Sequence, residues 1–304
     1  RVQALASILE LLRDQKEEYV VMSDANIAVN FDFSAMLQAH IESGADVTVA
    51  YKEEELADSL KNLDIMKEDF FYTLALEGDR VKKIYVNSEE SGPQKLSMNI
   101  YILKRELLID LIHTAFVRGY VYFERDILAH RLDKLNVKAY RFDGYLARIT
   151  DMKSYFDENM KLLKDENLDS LFLGNPIYTK VRDDNPTRYI NGSKAKNVMV
   201  ADGCVIEGEI ENSILFRGVK VAKGAKVKNC ILMQDTVIEA GAEIEYVVSD
   251  KYVTVSEGKQ LKGTDSFPVF IAKDQGGADL QNAGGEGRAR RIRGVLYPGL
   301  LRAG

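Results

Sequence analysis

The sequence predicts a mixed-sheet α/β domain followed by a parallel β-helix. Short apolar runs alternate with helical patterns in the first half, and periodicity lapses near the middle. Beyond that point branched apolar side chains recur every sixth residue. A chain of 304 residues has room for two domains at ~100–200 residues each. Its 46% hydrophobic and 29% charged content is that of an ordinary globular protein. No apolar run approaches the ~18 residues of a membrane span, which excludes a spanning helix. The net charge of −6 argues against a nucleic-acid partner. Two cysteines, Cys204 and Cys230, cannot build a disulfide framework, so a cytoplasmic location is expected. The chain starts at Arg1 without a signal-peptide pattern and reads as a fragment incomplete at its N-terminus.

Tyr19 to Ser23 is a short branched run, as expected of a buried parallel strand. Phe33 opens a helix with Met36, Leu37 and Ile41 on one face, closed by Gly44, and Val47 to Ala50 is the next strand. Strand, helix, strand is a βαβ unit. Phe70 to Leu76 and Val81 to Val86 flank Gly78-Asp79-Arg80, a hairpin pattern. Leu96 to Leu103 reads as a strand, 105–116 and 123–135 as helices, and Lys138 to Phe142 as a strand. The stripe Met152, Tyr155, Phe156, Met160 and Leu163 marks a helix over 151–164. Residues 1–164 therefore form the partial α/β domain.

Residues 165–192 are a linker, with turn signals at Asn175-Pro176, Asn185-Pro186 and Asn191-Gly192. The β-helix is expected over 193–270. Its core positions are Val200 and Ile206, then Leu215, Val221 and Val227, then Leu232, Ile238 and Ile244. Smaller residues follow four positions on (Cys204, Val219, Ala225, Thr236, Ala242), with Gly203, Gly218, Gly224 and Gly241 in the turns. Phase breaks at 206–215 and 227–232 make the coil irregular. Residues 276–304 contain eight Gly, five Arg, no Lys and two acids, a composition foreign to the rest of the chain. Residues 271–304 are expected to be a disordered or artefactual tail.

The segments Val198 to Val219 and Val227 to Ile238 resemble the β-helix of the ADP-glucose pyrophosphorylase (glucose-1-phosphate adenylyltransferase) family. Ser97-Met98-Asn99-Ile100-Tyr101 is similar to that family's Ser-Met-Gly-Ile-Tyr, with Asn99 in place of Gly. Gly144-Tyr145 through Tyr155 and Asn159 keeps the spacing of its Gly-Tyr-Trp-Arg-Asp-Val-Gly-Thr motif. The resemblance covers about residues 15–270. It implies a nucleotidyltransferase-like (Rossmann-like) domain, a left-handed β-helix, and formation of ADP-glucose from ATP and glucose-1-phosphate for glycogen synthesis. It also implies Mg²⁺ held by two Asp residues.

The departures from the family pattern decide the functional expectation. Asp24 stands at the first metal position, but Arg148 falls at the second, and a guanidinium has no acceptor to offer a cation. Asp151, three residues on, could substitute only after a local shift. The family's sugar-phosphate lysine is missing, with Asn87-Ser88-Glu89-Glu90 in its place, and its Gly-rich phosphate loop is not in this chain. The resemblance thus points to the family's non-catalytic, GlgD-type regulatory subunit. Such a subunit works in a hetero-oligomer, a tetramer by resemblance, with a catalytic ADP-glucose pyrophosphorylase subunit, and Mg²⁺ is not expected to bind productively. Ser97, Asn99 and Tyr145 are the candidate substrate-binding residues, and Asp24 a vestigial metal ligand. An active sugar-phosphate nucleotidyltransferase and a non-catalytic sugar-phosphate- or nucleotide-binding protein remain the alternatives.

His40, His113 and His130 all precede residue 131, so the repeat region lacks the histidine base that hexapeptide acyltransferases use. Acyl transfer is not expected. Cys204 and Cys230 sit at small repeat positions and are expected to be buried and inert, with no zinc-site spacing.

Overall fold

The computed structural model describes residues 2–56, 60, 70–178 and 182–273. The chain divides into two compact units, one of Arg1–Asp151 with Ser170–Asn175, the other of Met152–Asp169 and the described residues from Pro176 onward.

The first unit begins with α1 (Val2–Ser7) and α2 (Leu9–Asp14). Next come β1 (Tyr19–Ser23), β2 (Ile27–Val29), α3 (Phe33–Glu42), β3 (Val47–Glu54), β4 (Tyr72–Glu77), β5 (Arg80–Val86) and β6 (Gln94–Lys104). It closes with α4 (Arg105–Arg118), a π-helical turn at Phe123–Leu128, β7 (Val137–Arg141) and β8 (Leu146–Arg148). The main sheet runs β1-β6-β3-β7-β5-β4, and Thr73 of β4 also pairs with Leu96 of β6. β3 and β7 are parallel; the other neighbours are antiparallel. The sheet is therefore mixed, as the sequence predicts.

Local chemistry explains the elements. The Asp32 carboxylate accepts from the Ala35 N–H at 2.9 Å and caps α3, and Gly44 leaves the helix at φ +58. Glu77 and Arg80 face each other across Gly78-Asp79, giving the two-residue hairpin. Apolar residues of β3, β6 and α4, all but Tyr51 under a few per cent exposed, form the core beneath the sheet.

Three expectations change. β1 is not a buried parallel strand: it is an edge strand, antiparallel to β6, and its Val21 is exposed. β1 and β3 do run in the same direction, but β6 lies between them, so the βαβ unit is split. The helix expected over 123–135 stops at Leu128, where the backbone passes into successive turns.

The second unit is a parallel β-helix. Arg188 pairs with Val205, Val205 with Lys220, Lys220 with Val237 and Val237 with Thr254, each in parallel register. The rungs are thus 17, 15, 17 and 17 residues apart rather than 18, which accounts for the phase breaks in the sequence. Of the predicted inward residues, Ile206, Leu215, Val221, Val227, Leu232, Ile238 and Ile244 are buried while Val200 is only partly so, and Cys204, Val219, Ala225, Thr236 and Ala242 are fully enclosed. One corner of the prism is a stack of left-handed residues, Asn197, Asn212, Asn229 and Tyr246, with φ of +45 to +51. Asn197 donates to the Asn212 side-chain oxygen at 2.7 Å along that stack. Gly218, at φ +71, occupies a turn where any side chain would collide with the Asp235 carboxylate.

The residues expected to be linker carry more structure than their turn signals suggest. Asp165–Phe172 is a helix, and Arg188–Tyr189 already pairs as the first β-helix rung. The helix Met152–Lys161, read in sequence with the first half, belongs to the second unit. Its Tyr155, Phe156 and Met160 close over Ile231, Met233 and Val248, so burial rather than chain order sets this division. Asn30 holds the returning segment 170–175 to the first unit, donating to the Leu171 and Asn175 carbonyls at 2.9 and 3.0 Å. Most of the predicted tail, residues 274–304, lies outside the described residues.

Candidate functional site

The site begins with an irregularity in β6. Val49 of β3 pairs with Tyr101, but Tyr51, two residues on, pairs with Ser97, leaving Met98, Asn99 and Ile100 opposite Ala50 alone. Asn99 absorbs this bulge by adopting φ +53. Met98 and Ile100 stay fully buried while the Asn99 side chain is turned toward the end of β1. Its amide donates to the Asp24 carboxylate at 2.6 Å, and the Asp24 N–H donates to the Asn99 carbonyl at 3.3 Å. The Ser97 hydroxyl and the Tyr101 phenol converge on the Asn99 side-chain oxygen at 3.1 and 3.4 Å.

Arg148 reaches the same place from β8, where it pairs with Ile27 of β2, three residues after Asp24. One guanidinium nitrogen donates to the Ser97 carbonyl at 3.1 Å. Its Nε is buried and has no hydrogen-bond partner among the described residues. Burial pushes the guanidinium below its ordinary pKa, while the Glu54 and Asp24 carboxylates act in the opposite direction. Sequence separation is thereby overcome: Asp24, Ser97, Asn99 and Arg148 form one cluster. Tyr145 lies immediately before β8 and is half-buried. Asp151 is exposed beyond the end of that strand.

Two participants were not picked out from the sequence. Glu124, in the π-helical turn, is raised in pKa chiefly by burial, with the nearby Asp24 charge adding to the rise. Glu124 acts on the Tyr101 phenol, which burial holds well above its usual range. The available signal was an acid within the apolar run Phe123 to Leu128.

The residues do not suit a divalent cation. Adenylyl transfer generally relies on Mg²⁺ held by hard carboxylate oxygens. Here the Asp24 carboxylate is engaged by an amide donor, and a guanidinium lies within its field. Among the described residues no group of three or more His, Cys, Asp or Glu side chains is arranged to hold a metal. Cys204 and Cys230 are buried, and burial raises both thiols, Cys230 to about 12. No described helix is long and apolar enough to cross a membrane.

A mixed-sheet α/β unit with polar residues gathered at strand ends is thus followed in the chain by a parallel β-helix. Residues 181–266 match the GlmU-like, C-terminal hexapeptide family. The glycogen biosynthesis protein GlgD of Bacillus subtilis is 32% identical over 276 residues, covering 90% of this chain and 68% of that protein. GlgD of Geobacillus stearothermophilus is 34% identical over 213 residues, 70% of this chain and 50% of its own length. Glucose-1-phosphate adenylyltransferase of Bacillus mycoides is 28% identical over 268 residues, 85% and 68% of the two chains. The chain belongs to the family of the glycogen biosynthesis protein GlgD and the glucose-1-phosphate adenylyltransferases.

Proposed function

We propose that this chain is a regulatory, non-catalytic subunit of glucose-1-phosphate adenylyltransferase. That enzyme converts ATP and glucose-1-phosphate to ADP-glucose and diphosphate in glycogen synthesis. The observation that carries the reading is Arg148: a guanidinium, bonded to the Ser97 carbonyl, stands where the resemblance requires a metal-binding carboxylate. Without a second carboxylate, the charge that develops on the transferring phosphoryl group loses its main stabiliser. The subunit contributes instead through assembly with a catalytic subunit, in a hetero-oligomer that the family resemblance makes a tetramer, in the cytoplasm. Its effect on that partner is a coupling free energy between subunits.

The test is an ADP-glucose assay of the full-length gene product, alone and mixed with the catalytic subunit of the same cell. Silence alone and a changed activator response in the mixture are expected. Turnover by the purified chain alone would overturn the reading and favour an active nucleotidyltransferase in which Asp151 serves as the second carboxylate.

A further inference from the structure

The loss of the metal site involves more than one substitution. We infer that Asn99 is a second, independent block: its left-handed backbone aims the amide at Asp24 and occupies the carboxylate that a cation would need. This inference rests on the non-catalytic reading and extends it to a residue that reading does not use.

The geometry separates the two contributions. Arg148 acts by charge, from β8, and is anchored on the Ser97 carbonyl. Asn99 acts by geometry, from the bulge in β6, through a 2.6 Å donor contact to Asp24 Oδ2. Ser97 and Tyr101 hold the Asn99 side-chain oxygen, so its nitrogen is oriented toward Asp24. An amide nitrogen has two donors and no acceptor, so it repels a cation at the carboxylate it serves. Removing Arg148 alone leaves this contact in place. Asn99 is therefore a positioning residue, holding Asp24 in a hydrogen bond inside the protein, and the two blocks must be lifted together. Gly at 99 suits φ +53 and deletes the amide without straining the bulge.

Mn²⁺ alone is the probe, and the free-ion paramagnetic resonance signal reports binding to the full-length protein without reference to catalysis. Wild type and Asn99→Gly are expected to leave the signal unchanged. Arg148→Asp should bind weakly, and Arg148→Asp with Asn99→Gly at least ~10-fold more tightly, the scale on which groups hydrogen-bonded to ligands tune metal affinity. Should the aspartate prevent folding, the same comparison is made in Arg148→Gln, which keeps a donor for the Ser97 carbonyl. Equal Mn²⁺ affinity with Asn or Gly at 99 in either background would overturn the role of Asn99. Saturable Mn²⁺ binding by the wild type would overturn it as well. ADP-glucose formation measured on the same samples tests the parent reading separately, because wild-type turnover would refute that reading whatever the Mn²⁺ data show.

Discussion

The bulge at Asn99 can be tested by stability before any ligand is added. Asn99→Ala and Asn99→Gly both delete the amide bonded to Asp24 and the oxygen that accepts from Ser97 and Tyr101. A hydrogen bond to a charged group contributes about 1.5–3 kcal/mol when buried, and less here because Asp24 is exposed and water can replace the donor. That loss, about 1 kcal/mol, is common to both variants. They differ at the backbone. Residue 99 sits at φ +53, where an L side chain costs roughly 1–2 kcal/mol and glycine costs nothing steric. Asn tolerates this region better than Ala, so Ala loses on both counts and Gly recovers part of the loss. The expected order is wild type close to Gly, with Ala lower than Gly by about 1–2 kcal/mol. Urea unfolding followed by circular dichroism reads this as a midpoint difference of roughly 0.5–1 M, with equal slopes. An Ala variant as stable as the Gly variant would refute a left-handed residue 99, and with it the argument for how Asp24 is held.

Two further outcomes follow from the ionisable groups. Burial raises Asp126, but Arg125 and the Tyr122 and Val121 N–H groups outweigh it and hold the carboxyl at about 2. Its folded-state pKa therefore lies below the unfolded value, so this stability is full above pH ~4 and is lost as pH falls toward 2. Asp126→Asn should cost roughly 2 kcal/mol at neutral pH and flatten that acid limb, as measured by thermal melts from pH 2 to 7. Cys230, with its thiol pushed up to about 12 and no exposed surface, should resist a thiol-disulfide reagent at pH 8 until urea unfolds the β-helix; rapid native labelling would contradict its burial.

The β-helix was legible because its physics is local. Each inward position repeats after six residues, so apolar side chains at Leu215, Val221 and Val227, or at Leu232, Ile238 and Ile244, declare the core without knowledge of neighbouring coils. Gly44 and the Gly78-Asp79 hairpin were legible for the same reason: each is a short-range dihedral or turn requirement, whereas the Asp32 cap of α3 emerged only from the structure. The first unit was harder. Tyr19 to Ser23 has the composition of a central strand yet lies at an edge, because β6, formed some 70 residues later, inserts between it and β3. The helix Met152–Lys161 showed its apolar stripe but not its destination, since Ile231, Met233 and Val248 receive it from distant coils.

The candidate site divides in the same way. The sequence alone determined which residues were present: an aspartate after a strand, an asparagine where a related motif carries glycine, and an arginine where it carries aspartate. Side-chain identity was enough to question metal binding, because a guanidinium has no lone pair to give. Only the tertiary structure decided that Asn99 turns left-handed and donates to Asp24, that Arg148 ends on the Ser97 carbonyl, and that Tyr101 and Glu124 join them. Those contacts join residues up to 75 positions apart, and they follow from the pairing of β6 with β1 and β3 and of β8 with β2. The pattern of residues specifies the local geometry, whereas the sheet's register selects which distant side chains share a site.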